Sequence, residues 1–337
     1  MYIVENYFLA VVFCIVTMIC WGSWGNTQKL AAKNWRYELY YWDYVIGIVL
    51  LSVLMGFTLG SWGTEGRPFI PDLMQVSATH FGSAFIGGVI FNAANILLST
   101  AISLAGMSVA FPVGVGLALI LGVFINFFNA PKGDPIMLFA GVALIMVAII
   151  VNGMAANKMN RSDAESKSNR KGILIAIVAG ILMSLFYRFV ASAMDLENFV
   201  NPTPGMATPY SAFFIFSLGI LVSNFLFNTL VMKHPFIGKP TSYKAYFKGG
   251  LGTHMVGILG GVIWGVGTAL SYISAEKAGP AISYALGQGA PMVAALWGVF
   301  VWREFKGGST MVRALLTLMF ILFITGLSLI VVAGMAE

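Results

Sequence analysis

Uncharged polar side chains inside long apolar runs are the residues of this chain best suited to bind a polar solute. Asn92 and Asn95 lie three positions apart in one run, so they share a helix face. Gln288 lies in another run, between Gly287 and Gly289. A carboxamide offers both a donor and an acceptor to a solute that has lost its water. Hydrogen bonding between helices is the alternative role for each amide.

Aromatic side chains accompany these amides at helical spacing. Trp264, Thr268 and Tyr272 follow one another at intervals of four residues, so the two rings and the hydroxyl share a face. Tyr284 lies four residues before Gln288. These faces would suit a flat solute, but ordinary aromatic packing explains the same spacing.

The first run ends in a similar group. Trp21, Trp24 and Gln28 share a face, and we expect Trp21 and Gln28 to contact the solute. A belt of tryptophans at the membrane interface is the alternative, above all for Trp24.

Charged groups inside the runs are rare. Arg188, beside Tyr187, is the one charged residue well inside a run. Three roles are open: Arg188 snorkels outward, Arg188 pairs with Asp195, or the two residues line the outer mouth of a cavity. Asp43 lies among aromatic residues and is the candidate for proton coupling, with a surface ion pair as its alternative. The sequence shows no metal, cofactor or catalytic motif, so we expect no metal, no cofactor and no enzymatic activity.

Apolar helices must position all these residues. The chain has 337 residues, of which 58% are hydrophobic and 9% are charged, whereas a soluble domain has about 25% charged residues. This composition predicts an all-α membrane protein that contacts lipid. The net charge of +6 lies in short loops and does not indicate nucleic-acid binding. The ten apolar runs cover residues 6–28, 38–60, 79–103, 107–129, 135–156, 172–194, 209–232, 252–276, 280–302 and 312–334.

One stretch of the chain occurs twice, at an offset of 173 residues. Residues 87–90, Gly-Gly-Val-Ile, recur as residues 260–263, and Gly106 recurs as Gly279. The polar segment 157–171 then divides the runs five and five, which predicts a first repeat over 1–156, a linker, and a second repeat over 172–337. Because five is odd, the second repeat enters the membrane from the opposite side. Inverted repeats of this kind are typical of transporters that bind solute near the midplane.

The loop charges predict the orientation. Of the 19 Lys and Arg residues, 15 lie on the side that includes the 157–171 segment, and three lie on the other side. The positive-inside rule places that segment in the cytoplasm and both termini outside it. We expect an integral protein of the bacterial inner membrane.

Short motifs resemble a known superfamily. The stretch ending Leu104-Ala105-Gly106-Met107-Ser108 resembles the third helix of the drug/metabolite transporter superfamily. Residues 302–306, Trp-Arg-Glu-Phe-Lys, resemble the glucose/ribose porter branch, which includes the L-rhamnose–proton symporter. The opening residues 1–5 and the string 41–44, Tyr-Trp-Asp-Tyr, resemble the plant ureide permeases. The resemblance implies ten helices in two inverted five-helix repeats, around a cavity lined mainly by helices one, three, four, six, eight and nine.

These observations favour a secondary transporter that imports a small neutral polar metabolite by alternating access. A monosaccharide of the ribose, glucose or rhamnose type is the favoured substrate, with protons as the coupling ion. A ureide or nucleobase is the alternative. Export of drugs or metabolites ranks third, because an exporter of apolar cations needs a carboxylate at mid-depth and none is visible.

Overall fold

The computed structural model describes residues 1–33, 35–159 and 163–335. Over these residues the chain is built from helices, with one isolated bridge between Met194 and Ala207. Ten of the helices are long and apolar enough to cross a membrane, which confirms the predicted all-α membrane fold. They are α1 (Tyr7–Ala31), α2 (Tyr37–Phe57), α3 (Ala78–Ala105), α4 (Met107–Asn129), α5 (Pro135–Met159), α6 (Asp163–Ala191), α7 (Pro209–Lys233), α8 (Leu251–Ala278), α9 (Pro280–Val301) and α10 (Thr310–Ala333).

Most helices follow the predicted apolar runs within a few residues, because a backbone in hydrocarbon must satisfy its hydrogen bonds internally. The start of α6 differs, since the helix begins at Asp163 and the sixth run at residue 172. Polar residues ahead of the run extend the helix beyond its apolar part. Residues 160–162 of the predicted 157–171 linker lie outside the described residues, and the division into two repeats stays a prediction.

Helices from one half of the chain pack mainly against helices from the other half. The α1–α8 contact has a counterpart in α3–α6, and the α2–α8 contact has one in α3–α7. If each helix is replaced by the helix five positions before or after it in the chain, the α1–α8 contact becomes α6–α3 and the α2–α8 contact becomes α7–α3. The fifth helix, α5, packs on α10, its own equivalent. This pattern is consistent with the predicted inverted repeat.

Glycines allow two equivalent helix crossings. Gly88 of α3 meets Gly219 of α7, and a β-carbon on either glycine would collide with a carbonyl oxygen of the facing helix. Gly47 of α2 and Gly261 of α8 meet in the same way. Gly261 is the residue that the offset of 173 pairs with Gly88. Small residues therefore bring the backbones together at matching points of the two halves.

The turns between α3 and α4 and between α8 and α9 also match. Gly106 and Gly279 end the preceding helices with φ of +78° and +76°. Glycine adopts this left-handed region without the penalty that a β-carbon brings. The two glycines predicted to be equivalent thus share one backbone conformation.

The ninth helix is interrupted in its middle. Gln288 and Gly289 separate the helical segments Pro280–Gly287 and Ala290–Leu296. Pro291 lies in the first turn of the second segment, where its missing N–H is no loss. At the interruption the Gln288 N–H still donates to the Tyr284 carbonyl at 2.9 Å, whereas the Gly289 N–H donates to the carbonyl of Leu286, three residues before it.

Loop contacts fall on two opposite faces of the bundle. On one face Lys29 pairs with Glu304, and Lys171 donates to a carbonyl of the α7–α8 loop. On the other face the hydroxyl of Tyr7, near the start of the chain, donates to the carbonyl of Val331 near its end. The two described ends of the chain therefore share a face, and the end of α5 and the start of α6 lie toward the opposite one.

Candidate substrate cavity

A small cavity lies inside the bundle where its two halves meet. Six helices line it, namely α1, α3, α4, α6, α8 and α9, and these are the six that the family resemblance implies. The lining residues are Trp21, Trp24, Phe91, Asn95, Leu98, Phe111, Val115, Met183, Phe186, Trp264, Gln288 and Ala290.

Aromatic rings form much of the cavity wall. The ring of Trp264 stacks on Phe91, with centroids 4.2 Å apart, and lies 6.2 Å from Trp21 at an interplanar angle of 11°. Trp24 contacts Phe111 from the opposite part of the wall. Such faces suit a planar solute, which gains apolar contact on both sides.

Two carboxamides supply the polar part of the lining. Asn95 is 1% exposed, and its Nδ2 donates to the hydroxyl of Tyr41 at 3.3 Å. Gln288 occupies the interruption of α9, where it interacts with the hydroxyl of Tyr284. The lining residues include no charged side chain. The cavity is therefore suited to an uncharged solute with its own donors and acceptors.

Thr268 supports the wall from behind. Its Oγ1 accepts a hydrogen bond from Trp21 Nε1 at 3.1 Å, and its own hydroxyl donates to the carbonyl of Trp264. Trp264 and Thr268 are close together in the structure as predicted, but Thr268 bonds to the Trp21 ring and to the Trp264 backbone and does not line the cavity.

Asn92, Tyr272 and Tyr284, although predicted to bind solute, are not among the residues that line the cavity. The Asn92 amide donates to Ser223 Oγ of α7 at 2.9 Å, because three residues along α3 rotate it by about 60° from Asn95. The Tyr284 hydroxyl donates to the carbonyl of Ala118. Tyr272 packs among other aromatic rings. For these three the structure favours the packing alternative.

Gln28 lies on the side of the cavity that faces the charge-rich loops. Its Nε2 donates to the carbonyl of Ser99 at 3.1 Å and to Ser103 Oγ at 3.2 Å, and Ser99 Oγ donates back to its Oε1. Gln28 and Ser103 also line a wider vestibule beside Trp35 and Arg36. Gln28 therefore separates the central cavity from a vestibule on that face.

Tyr187 and Arg188 are adjacent in the chain but lie on different faces of α6. Tyr187 is buried and bonds to serines of α8 and α9, whereas Arg188 is exposed on the outside of the bundle. Asp195 accepts from the backbone and hydroxyl of Thr203, so the structure does not show the predicted pair with Arg188. Partial burial raises the pKa of Asp195. Hydrogen bonds, chiefly those from Thr203, outweigh this effect and hold the pKa below its ordinary value.

Asp43 is buried near the start of α2, away from the cavity lining. Its Oδ1 accepts from the hydroxyl of Tyr246 at 2.6 Å and lies 2.8 Å from His254 Nδ1 of α8. Its Oδ2 accepts from Trp35 Nε1 at 3.3 Å. The carboxylate thus joins α2 to α8, with its partners drawn from three separate parts of the chain.

The lining also includes residues that sequence reasoning did not select. Met183 and Phe186 of α6 complete the wall, and Tyr41 holds Asn95 in place. Their types are those of ordinary packing residues. For Tyr41 the sequence did contain one indication, because this residue belongs to the string 41–44 that resembles the ureide permeases.

A bundle of ten apolar helices around an uncharged cavity of amides and aromatic rings defines an integral membrane transporter of small metabolites. The family model described as Ureide permease matches residues 40–171 and 161–333. The chain belongs to the ureide permease family, which confirms the predicted resemblance.

Relatives match the chain along most of its length. Ureide permease 2 and Ureide permease 1 of Arabidopsis thaliana are each 24% identical, and the matches cover 99% of this chain and of each relative. The Probable glucose uptake protein GlcU of Priestia megaterium is 23% identical and covers 75% of this chain and 77% of its own length. The relatives are permeases, so the chain is a transporter and not an enzyme.

A solved crystal structure shares the fold. It is 15% identical to this chain, covers 95% of it and 97% of its own chain, and gives a TM-score of 0.58. This likeness supports the arrangement of the helices and carries no information about the solute.

Proposed function

We propose that the protein imports a small, uncharged, planar solute of the ureide or nucleobase class by alternating access. The observation that supports this most strongly is the cavity lining, which combines two carboxamides with stacked aromatic rings and lacks any charged side chain. Family membership points in the same direction, because the relatives that match the whole chain are named ureide permeases.

The two amides match the chemistry of this solute class. A ureide or nucleobase presents N–H and C=O groups side by side, and the side chains of Asn95 and Gln288 each offer one acceptor and two donors. Both amides line the cavity together with the aromatic rings of Trp264 and Trp21. The solute would be held by its edge through hydrogen bonds and by its faces through apolar contact.

A monosaccharide is the second candidate, and it is the substrate that the sequence favoured. A relative named as a probable glucose uptake protein supports it. The same amides would bind sugar hydroxyls, but a sugar ring is not flat and uses parallel aromatic faces less fully. An exporter of cations ranks third, because the lining lacks a carboxylate.

Proton coupling belongs to the same proposal, with Asp43 as its centre. The titratable side chains that face Asp43 are His254 of α8, Tyr246 of the α7–α8 loop, and Tyr40 one turn earlier on α2. Gain or loss of a proton on Asp43 or His254 would change the attraction that joins α2 to α8, and so the ease with which the two halves separate.

Uptake by reconstituted vesicles tests the substrate. Labelled allantoin, uracil, ribose, glucose, rhamnose and a lipophilic cation are offered with and without an inward proton gradient. We expect uptake of allantoin or uracil that exceeds that of the sugars and rises with the gradient. Uptake of the sugars alone would replace the proposal with its second candidate, and movement of lipophilic cations alone would refute both.

A further inference from the structure

A second buried polar group lies next to the cavity, and we call Cys14, Tyr187, Ser271 and Ser283 the hydroxyl cluster. The Tyr187 hydroxyl lies 3.1 Å from Ser271 Oγ and 3.3 Å from Ser283 Oγ. The two serine hydroxyls are 3.0 Å apart, and the Cys14 thiol donates to Ser283 Oγ at 3.6 Å. All four side chains are fully buried.

The hydroxyl cluster joins four helices that also line the cavity, α1, α6, α8 and α9. Ser271 follows Trp264 by seven residues, and Cys14 precedes Trp21 by seven, so each shares a face with its cavity residue and lies about 10 Å further along the helix. α1 starts and α8 ends at the face that carries both chain ends. The cluster therefore closes the cavity toward that face.

We propose that the hydroxyl cluster is the outer access site of the transport path, where the solute exchanges hydrogen bonds as it enters the cavity. This inference rests on the proposed function. The four side chains part when the outer face opens, and water or the N–H and C=O groups of the solute then replace their mutual hydrogen bonds.

The opposite exit from the cavity supports this role. There Gln28, Ser99 and Ser103 also form a hydrogen-bonded polar layer, and the vestibule begins directly beyond it. The cavity wall itself is mostly apolar. In alternating access each exit is exposed to water in turn. A hydroxyl loses little hydrogen-bonding free energy when water replaces its partner, whereas an apolar closure would expose hydrocarbon to water. Polar layers therefore suit both exits.

Interhelical hydrogen bonding without any opening is the competing explanation. Ser52 of α2 and Ser217 of α7 provide a comparison, because their hydroxyls bond at 2.8 Å across two helices that do not line the cavity. Ser217→Val removes one such hydrogen bond at a position outside the proposed transport path. Its effect measures what a purely structural serine contributes.

Cysteine labelling tests the access site directly. The chain has two cysteines, so Cys20→Ser leaves Cys14 as the sole thiol. A membrane-impermeant methanethiosulfonate reagent is applied from either side of vesicles of known orientation. We expect Cys14 to react from the face that carries the chain ends, more slowly when saturating allantoin is present on that face. Reaction from the other face only, or from neither face, would overturn the proposal, whereas Cys14→Ser should leave Cys20 unreactive from both.

Transport rates provide the second test. Ser283→Val is compared with Ser217→Val, with uptake of allantoin and equilibrium binding followed by tryptophan fluorescence. We expect Ser283→Val to slow uptake several-fold while binding in detergent is kept, and Ser217→Val to change uptake much less. Equal effects of the two variants would refute the access site. Reaction of Cys14 from the predicted face without any allantoin transport would instead count against the proposed solute.

Discussion

At the scale of single residues, Asn95 and Gln288 set the chemistry of the cavity. Each is almost fully buried, and each faces a space walled by aromatic rings. A buried amide that keeps unused hydrogen-bonding capacity is unfavourable in the absence of a partner. In the proposed function the transported solute would supply that partner, so removal of either amide should lower the affinity for the solute.

Asn95→Ala should therefore weaken solute binding. Loss of one neutral hydrogen bond costs about 0.5–1.5 kcal/mol, so we expect KM for uptake to rise about three- to tenfold. Asn126→Ala is the matched control, because among the described residues this buried amide bonds only to the Gly122 carbonyl of its own helix. An unchanged KM for Asn95→Ala would remove this residue from the site.

The pair of Asp43 and His254 carries the pH dependence of the proposal. Wild-type uptake should fall as the outside pH rises, because fewer protons are then available to drive it. His254→Gln should flatten this profile while solute exchange without a gradient continues. Glu276→Gln is the control, since Glu276 pairs with Lys277 at the far end of the same helix. A wild-type profile retained by His254→Gln would exclude the pair.

Sequence reasoning predicted the residues of the site only in part. Asn95, Gln288, Trp21 and Trp264 do line the cavity, because a polar or large aromatic side chain in mid-membrane must face other protein. Asn92 met the same criterion but faces α7. Both amides lie on buried faces of one helix, and the helix packing that decides between those faces involves residues far apart in the chain.

At the scale of elements, glycines decide how closely the helices approach. Gly261 contacts the backbone of α2, and a β-carbon there would meet the Tyr44 carbonyl. The offset repeat predicted a structural need for small residues at this position and at Gly88. The interruption of α9 at Gln288 lies among Gly287, Gly289 and Pro291, which membrane helices also tolerate without an interruption, so residue types alone do not place it.

Gly261→Val should destabilise the folded protein. Overpacking costs about 1–3 kcal/mol, and here the rigid backbone of α2 cannot move aside as a side chain would. We expect a lower melting temperature in detergent and less protein in the membrane. Gly153→Ala of α5 is the control, because open space surrounds that position. Equal melting temperatures for the two variants would contradict the proposed crossing.

At the scale of the whole molecule, the number of membrane spans and their alternation could be predicted well. Apolar length alone determines which segments cross a membrane. The offset of 173 residues also predicted which glycines are equivalent, as the turns at Gly106 and Gly279 show. The solute could not be predicted in the same way, because it depends on a cavity that six helices form together.

The loop charges predict the orientation of the molecule in the membrane, and this prediction can be tested independently of transport. By the sequence prediction, the side that includes the 157–171 segment has 15 of the 19 Lys and Arg residues, and loops rich in Lys and Arg are retained in the cytoplasm. A phosphatase that is active only outside the cytoplasm should be active when fused to the C-terminus of the full chain. The same enzyme should be inactive when fused within the α9–α10 loop, after Lys306, where a fluorescent protein that matures only in the cytoplasm should be bright. The reverse pattern would place both chain ends in the cytoplasm, and the hydroxyl cluster would then close the cavity toward the cell interior.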